Sequence, residues 1–418
     1  MADTTEGMQL WEPSKEMKEN ARISDYMRWL HAEKGVDVED YNDLWRWSVT
    51  DLEGFWASVW EYCGVEASEP YEAVLAKREM PGAEWFPGAR LNYAEHILKN
   101  AEGRLEEPAL IHQSEVRPLG EVSWGELRER TAALAAGLKA MGVQRGDRVA
   151  AYLPNIPEAV IGLLACASIG AVWSSCSPDF GAGSVIDRMK QIEPKVLLAV
   201  DGYRYGGKDY DRTGVVAELQ EEIPTIQQTV FLPYVAEDPD TGSLRDVVMW
   251  DEVLSEHEGA ELSFDQVPFD HPLWVLYSSG TTGLPKAIVQ SQGGILLEHL
   301  KKVVFHIDVG PEDRFFWFTT TGWMMWNMVV GGLLSGAAAL LYDGNPGYPD
   351  MNVLWEFAEK TGMTCFGTSA SYITACMNAE IEPGRDFDLS ALKSMGSTGS
   401  PLPPEGFDWV YEHVKGDL

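Results

Sequence analysis

From about residue 108 onward, short unbroken apolar runs alternate with longer amphipathic stretches. The runs at 148–153, 171–174, 195–200, 274–277, 315–319, 337–342 and 364–367 lack the in-out alternation of a half-exposed sheet. They read as strands buried on both faces. Helices are predicted between several of them. Ser123 and Glu126 have the spacing of a capping box, heading a helix that closes near Gly142. Pro154 and Pro157 precede a helix running towards Ile169, and another covers 185–191. This alternation predicts an α/β protein with mostly parallel sheets covered by helices.

The first hundred or so residues follow another pattern, rich in Trp and Tyr. Ser24 is placed to cap a helix running to Lys34, with Gly35 as its stop. Asp51 is placed to start a second, with Phe55, Trp56, Val59 and Trp60 on one face. Residues 80–88 read as a loop. The expected organisation is an aromatic helical cap over 1–105 and a larger α/β domain over 106–418. The last predicted helix, 405–414, has no closing strand after it, so the unit is expected to continue beyond Leu418. No repeat or low-complexity tract interrupts the chain.

Charge narrows the range of partners. Asp and Glu number 65 against 32 Lys and Arg, a net charge of −33. Such a surface repels nucleic acid and anionic lipid, so neither is an expected partner. The acids are spread along the chain, as on a solvated acidic surface; adaptation to high salt is the sharper reading. The five cysteines, Cys63, Cys166, Cys176, Cys365 and Cys376, form no C-x-x-C pair. That predicts a reducing, cytoplasmic setting without disulfides or structural zinc. The acidic N-terminus has no apolar core and does not read as a signal peptide. The apolar stretch 159–173 is shorter than a bilayer span. The stretch 323–342 is long enough, but Asn327, Ser335, Gly331, Gly332 and Gly336 predict a buried helix followed by a buried strand. His271, His299 and His306 stand at no metal-ligand spacing.

The densest chemical signal is Tyr277-Ser278-Ser279-Gly280-Thr281-Thr282-Gly283-Leu284-Pro285-Lys286, directly after a buried run. Glycines let successive backbone N–H groups face one anion, hydroxyls add donors, and Lys286 adds positive charge. The combination suits a polyphosphate. It is no Walker A loop, because Ala287 follows the lysine where Ser or Thr is required. A plain polar hairpin between 274–277 and 287–290 is the simpler alternative. The order S-S-G-T-T-G-x-P-K, however, resembles the phosphate signature of the adenylate-forming superfamily, which includes acyl-CoA synthetases and luciferases. That resemblance implies that Ser278, Ser279, Gly280, Thr281, Thr282, Gly283 and Lys286 bind ATP phosphates. A carboxylate then attacks the α phosphate, giving an acyl-adenylate and pyrophosphate.

Three more stretches extend the resemblance. Thr320-Thr321-Gly322-Trp323-Met324-Met325-Trp326-Asn327 is similar to the family's aromatic motif beside the substrate carboxylate. By resemblance, Lys286 and Trp323 are catalytic, and Trp323, Met324, Met325, Trp326, Asn327 and Thr398 form the acyl pocket. Met and Trp at helical spacing are otherwise ordinary core. Gly396-Ser397-Thr398-Gly399-Ser400-Pro401, after a strand-like 392–395, resembles the adenine segment, implying that Gly399, Ser400 and Pro401 line adenine. Ser400 departs from the Glu of acetate-specific members. Arg204, Gly206, Gly207 and Lys208 resemble the basic segment that meets the nucleotide phosphates of CoA; an exposed loop is the alternative. Residues 10–14, 44–49 and 80–93 are similar to the acetoacetate-activating branch, so the resemblance spans nearly the whole chain.

The resemblance therefore implies ATP, Mg²⁺ and CoA, with acetoacetate converted to acetoacetyl-CoA, AMP and pyrophosphate. A synthetase for acetate, propionate or another short acid is the near alternative, and a non-catalytic nucleotide-binding or interaction module the distant one. The family's Mg²⁺-binding Glu, ribose-binding Asp and C-terminal adenylation Lys match nothing in this chain. An incomplete, catalytically impaired unit without a metal ligand of its own is therefore expected.

Overall fold

A computed structural model describes residues 8–278 and 283–418. Two sheets organise the larger part of the chain. The first has seven strands in the order Val247–Met249, Gln228–Leu232, Val196–Val200, Arg148–Tyr152, Val172–Cys176, Pro272–Ser278, Lys286–Ser291. The second has six, ordered Ser394–Thr398, Cys365–Ser369, Arg314–Trp317, Ala338–Asp343, Pro108–Ser114, Gly120–Ser123. All neighbours are parallel except the last pair of each sheet. The α/β class with mostly parallel, helix-covered sheets is the one the apolar runs predict.

The runs explain the arrangement. Every residue of Val196–Val200 is buried, as is every residue of Val172–Cys176. Each Val or Leu so removed from water contributes about 1.5–3 kcal/mol, which only a strand covered on both faces collects in full. The helix Pro157–Ser168 is buried at all positions but Glu158, whose carboxylate takes a two-pronged bond from Arg117 at 2.8 and 3.0 Å. Gly162 lets this helix approach the first sheet: a Cβ there would stand 2.9 Å from Trp173 and Leu198.

Local signals hold where the chemistry is local. Glu126 N–H donates to Ser123 Oγ and Ser123 N–H to Glu126 Oε2, completing the capping box of the helix Trp124–Ala140. Asp51 caps the helix Leu52–Tyr62 through Gly54 N–H at 2.9 Å. Gly35, at φ +62°, ends the helical stretch that runs to Lys34, as predicted. The predicted start at Ser24 is corrected. The helix begins at Arg22, and the Ser24 hydroxyl donates to Lys18 O instead of capping. Aromatic rings of the first hundred residues reach the rest of the chain: Tyr26 stacks on Phe305 at 4.4 Å and Phe86 meets Phe269 at 5.0 Å.

The 323–342 stretch is a helix, Met324–Gly332, a short turn and the strand Ala338–Asp343, divided at Gly336 with φ +80°. Among the described residues no helix is long and apolar enough to cross a membrane. The strand expected at 392–395 runs from Ser394 to Thr398 instead, carrying Gly396, Ser397 and Thr398 into the sheet. All five cysteines are free.

Candidate functional site

Carboxyl ends of strands from both sheets meet, the edge at which open α/β sheets place their ligands. The segment between the strand Arg314–Trp317 and the helix Met324–Gly332 is tied to the first sheet. Thr321 Oγ1 donates to Leu153 O at 2.7 Å and Ser175 Oγ donates to Thr321 O at 2.8 Å. Buried Asn155 donates to Thr319 O and Tyr342 O, bridging the two sheets.

At one edge of the first sheet, Pro272–Ser278 and Lys286–Ser291 form an antiparallel hairpin in which Ser278 faces Lys286. The hairpin is therefore present, with Ser278, Gly283 and Lys286 at its head; Ser279, Gly280, Thr281 and Thr282 lie outside the described residues. Next to that head, the hairpin is joined to the Trp323 segment through one cation. Tyr277 OH donates to Arg188 O at 2.7 Å, and the Arg188 guanidinium lies 5.2 Å from the Phe180 ring and 5.9 Å from the Tyr277 ring. Phe180 meets Trp323 edge-on at 6.3 Å, and a Cβ on Gly322 would stand 2.9 Å from Phe180. Among the described residues Arg188 forms no ion pair. Nothing in the sequence singled it out, since an arginine on the amphipathic helix Ala182–Met189 looks like any solvated charge.

Helical geometry divides the five residues from Trp323 to Asn327. Trp323 precedes the helix in extended backbone and is 60% exposed; Met324 is also exposed. Met325 is half-buried against the core. Trp326 is fully buried, donating its indole N–H to Asn155 Oδ1 at 3.0 Å. Asn327 is buried too, and neither amide atom has a hydrogen-bond partner among the described residues. Trp323 and Met324 are thus the exposed members, while Trp326 and Asn327 turn inward.

Thr398 ends its strand opposite Ser369, at the same carboxyl edge of the second sheet. Gly399, at φ +94°, turns the chain there. Ser400 and Pro401 border a groove of about 790 Å³ that also touches Trp11, Met17, Met395 and Phe407.

Arg204, Gly206, Gly207 and Lys208 occupy a tight hairpin, Gly202–Tyr205 with Lys208–Asp211, whose turn is Gly206-Gly207 at φ +62° and +74°. Two successive positive φ values need glycine. Arg204 pairs with Asp209, while Lys208 is exposed and has no partner among the described residues. The turn's two N–H groups donate to the Glu115 carboxylate at 2.9 and 2.7 Å, and Asn345 N–H donates to it at 2.8 Å. Glu115 carries no motif and was not foreseen.

Beside Glu115, Tyr234 OH donates to Asp343 Oδ2 at 2.9 Å, and Arg117 lies over the Tyr234 ring at 4.8 Å. Burial pushes the Asp343 carboxyl up to about 7, with Asp179 and Glu115 adding to the rise and Tyr234 and Arg117 opposing it. No group of three His, Cys, Asp or Glu side chains able to hold a metal exists among the described residues.

Comparison with known proteins places these features in a lineage. Residues 97–418 match the family described as AMP-binding enzyme, and 41–97 match the acetyl-coenzyme A synthetase N-terminus. The chain is 42% identical over 413 residues to the acetoacetyl-coenzyme A synthetase of Rhizobium meliloti (strain 1021), covering 98% of this chain and 62% of that protein. It is 35% identical to the malonamoyl-CoA synthetase vrtB of Penicillium aethiopicum, covering 93% of this chain and 57% of that one. The solved acetoacetyl-CoA synthetase from Streptomyces lividans superposes with a TM-score of 0.93 at 54% identity, covering 97% of this chain and 62% of that chain. The chain therefore spans less than two thirds of the length of these relatives. Because the AMP-binding match runs through both sheets, the Ser278–Lys286 hairpin, the Trp323 segment and the Thr398 turn, the chain belongs to the AMP-binding enzyme family.

Proposed function

We propose that the protein activates acetoacetate with ATP and transfers the acyl group to CoA, giving acetoacetyl-CoA, AMP and pyrophosphate. The observation that carries this reading is the junction of the Ser278–Lys286 hairpin with Trp323 through Tyr277, Arg188 and Phe180. It links the strand ending at Ser278 to the exposed aromatic Trp323.

In this reading a carboxylate oxygen attacks the α phosphorus of ATP, the bond to the β phosphate breaks, and pyrophosphate leaves. The CoA thiolate then attacks the acyl carbon and AMP leaves. Two anions must meet in the first step, so cations and fixed donors have to offset their repulsion. Lys286, Ser278 and Gly283, with Ser279, Gly280, Thr281 and Thr282, serve the pyrophosphate side. Trp323 orients the carboxylate, Met324 and Met325 wall the acid, and Trp326 and Asn327 back that wall. Gly399, Ser400 and Pro401 take the adenine; the hairpin of Arg204, Gly206, Gly207 and Lys208 serves the phosphates of CoA through Lys208, the others holding its shape. Mg²⁺ supplies charge neutralisation on the triphosphate when bound. The described residues offer no cluster that fits it, so no step is assigned to it. Residues 1–105 act as the cap and 106–418 as the adenylation domain, in a reducing cytoplasm that keeps the five thiols free.

Acetoacetate and malonamate, the acids in the relatives' names, both carry a second carbonyl two carbons from the carboxylate carbon. Thr398 Oγ1, at the carboxyl edge of the second sheet, is the proposed donor to it. The test is acid-dependent ATP–pyrophosphate exchange by the protein translated to its natural stop codon, with acetoacetate, malonamate, butyrate, propionate and acetate. Exchange highest with acetoacetate supports the reading. A maximum with acetate or propionate overturns the substrate, and exchange with no acid overturns the activity. Thr398→Val should lower the acetoacetate-over-butyrate preference about tenfold, the scale of one buried hydrogen bond lost.

A further inference from the structure

We infer that Glu115 is a positioning residue for the thiol substrate: its carboxylate holds the Gly206–Gly207 turn, and so sets where Lys208 projects. The inference rests on the CoA assignment made above and identifies what fixes that part of the site.

Glu115 follows the second-sheet strand Pro108–Ser114, whereas the hairpin hangs from the first sheet after Val196–Val200. The carboxylate is where the two meet. Oε1 accepts from Gly206 N–H and Asn345 N–H at 2.9 and 2.8 Å, and Oε2 accepts from Gly207 N–H at 2.7 Å. Three main-chain donors from two separate segments converge on one anion. Charge-assisted bonds of this length are the strong ones, and only a carboxylate offers acceptors on both oxygens. Backbone shape makes room for it. A Cβ on Gly344 would lie 2.8 Å from Glu115 Cγ, and one on Gly207 would lie 2.5 Å from Tyr348 Oη. Both positions combine positive φ with this close approach.

The consequence concerns charge. With both glycine N–H groups engaged by Glu115 and Arg204 paired with Asp209, Lys208 is the cation of the hairpin left to meet an anionic ligand. It follows Gly207 directly and faces Tyr205 across the turn, so its origin moves with the turn. Releasing the turn lets Lys208 wander and weakens recognition of phosphate, without touching the hairpin at Ser278 and Lys286.

The test uses the protein translated to its natural stop codon and compares CoA with pantetheine, which has the thiol but no nucleotide. Glu115→Gln keeps the side-chain size but replaces one acceptor oxygen with a donor. The expected result is a fall of about tenfold in kcat/KM for CoA, little change for pantetheine, and persistence of acid-dependent pyrophosphate exchange, which needs no CoA. Lys208→Gln, at an exposed position, should produce the same selective loss, and the double variant should lose less than the sum of the two. Equal losses with CoA and pantetheine, or loss of exchange, overturn the positioning role and assign Glu115 to the fold. Unchanged CoA kinetics in Lys208→Gln also overturn it. Absence of exchange in the unsubstituted protein overturns the proposed activity, and this inference with it.

Discussion

The indole N–H of Trp326 donates to Oδ1 of Asn155 at 3.0 Å, and both side chains are buried. The same amide donates to Thr319 O and Tyr342 O, so one asparagine ties the helix after the Trp323 segment to both sheets. Asn155→Leu strands a buried indole N–H and two carbonyls. A loss of about 2–3 kcal/mol is expected, read as a lower urea midpoint at constant m value. The same variant should raise the KM for the acid more than that for ATP, because it loosens the Trp323 side.

Trp317 lies across two glycines of neighbouring strands. A Cβ on Gly396 would stand 2.5 Å from the indole, and Gly367, in register with both Trp317 and Gly396, leaves even less room. Gly396→Ala should destabilise by about 1–3 kcal/mol through overpacking. Adding Trp317→Leu should recover part of that loss in equilibrium unfolding, and strict additivity of the two changes would refute the contact.

His299 is buried beside Trp274, within 3.0 Å of Tyr93 Oη. Burial, with Lys302 adding to it, lowers its titration from 6.5 to about 3. Between those values the unfolded chain binds the proton and the folded one does not. Stability from this group is complete above pH 6.5 and falls as the pH drops towards 3. Buried His96 is shifted the same way, so His299→Gln should flatten the acid limb of a pH–stability curve without abolishing it.

Asp343 works with the opposite sign. Its carboxyl rises from 3.8 to about 7, so the folded state holds a proton that the unfolded state has released. That contribution is whole below pH 3.8 and is lost as the pH rises to 7. Asp343→Asn should therefore gain stability relative to the unsubstituted protein between pH 4 and 7, measured as a growing difference in urea midpoint. A constant difference would show that Asp343 does not titrate there.

With a net charge of −33, self-repulsion opposes the folded state in dilute buffer. Raising the salt from about 0.01 M to about 1 M shortens the screening length from about 30 Å to about 3 Å. The urea midpoint should climb steadily across that range in KCl. A flat response would remove the high-salt reading of the acidic surface.

Signals carried within a few residues were legible in the sequence. The apolar runs announced strands such as Val196–Val200 and Val172–Cys176, Ser123 with Glu126 announced a capping box, and Gly336 announced the break between helix and strand. The order around Ser278 and Lys286 pointed to a phosphate loop, and the alternative of a hairpin proved to describe the same strands. Ser24 misled because a hydroxyl near a helix start has several acceptors in reach, and the one it found was Lys18 O.

By itself, the sequence determined the class of fold, the position of several buried strands and the family, because hydrophobic burial and the order of residues in a motif act locally. Only the tertiary structure decided which side chains of 323–327 stay exposed, that Arg188 links Tyr277 to Phe180 and Trp323, and that Glu115 grips a turn 91 and 92 residues away. Those outcomes depend on how two sheets seat against each other. A carboxylate or guanidinium at a sheet junction has no periodicity to betray it, since its partners come from distant parts of the chain.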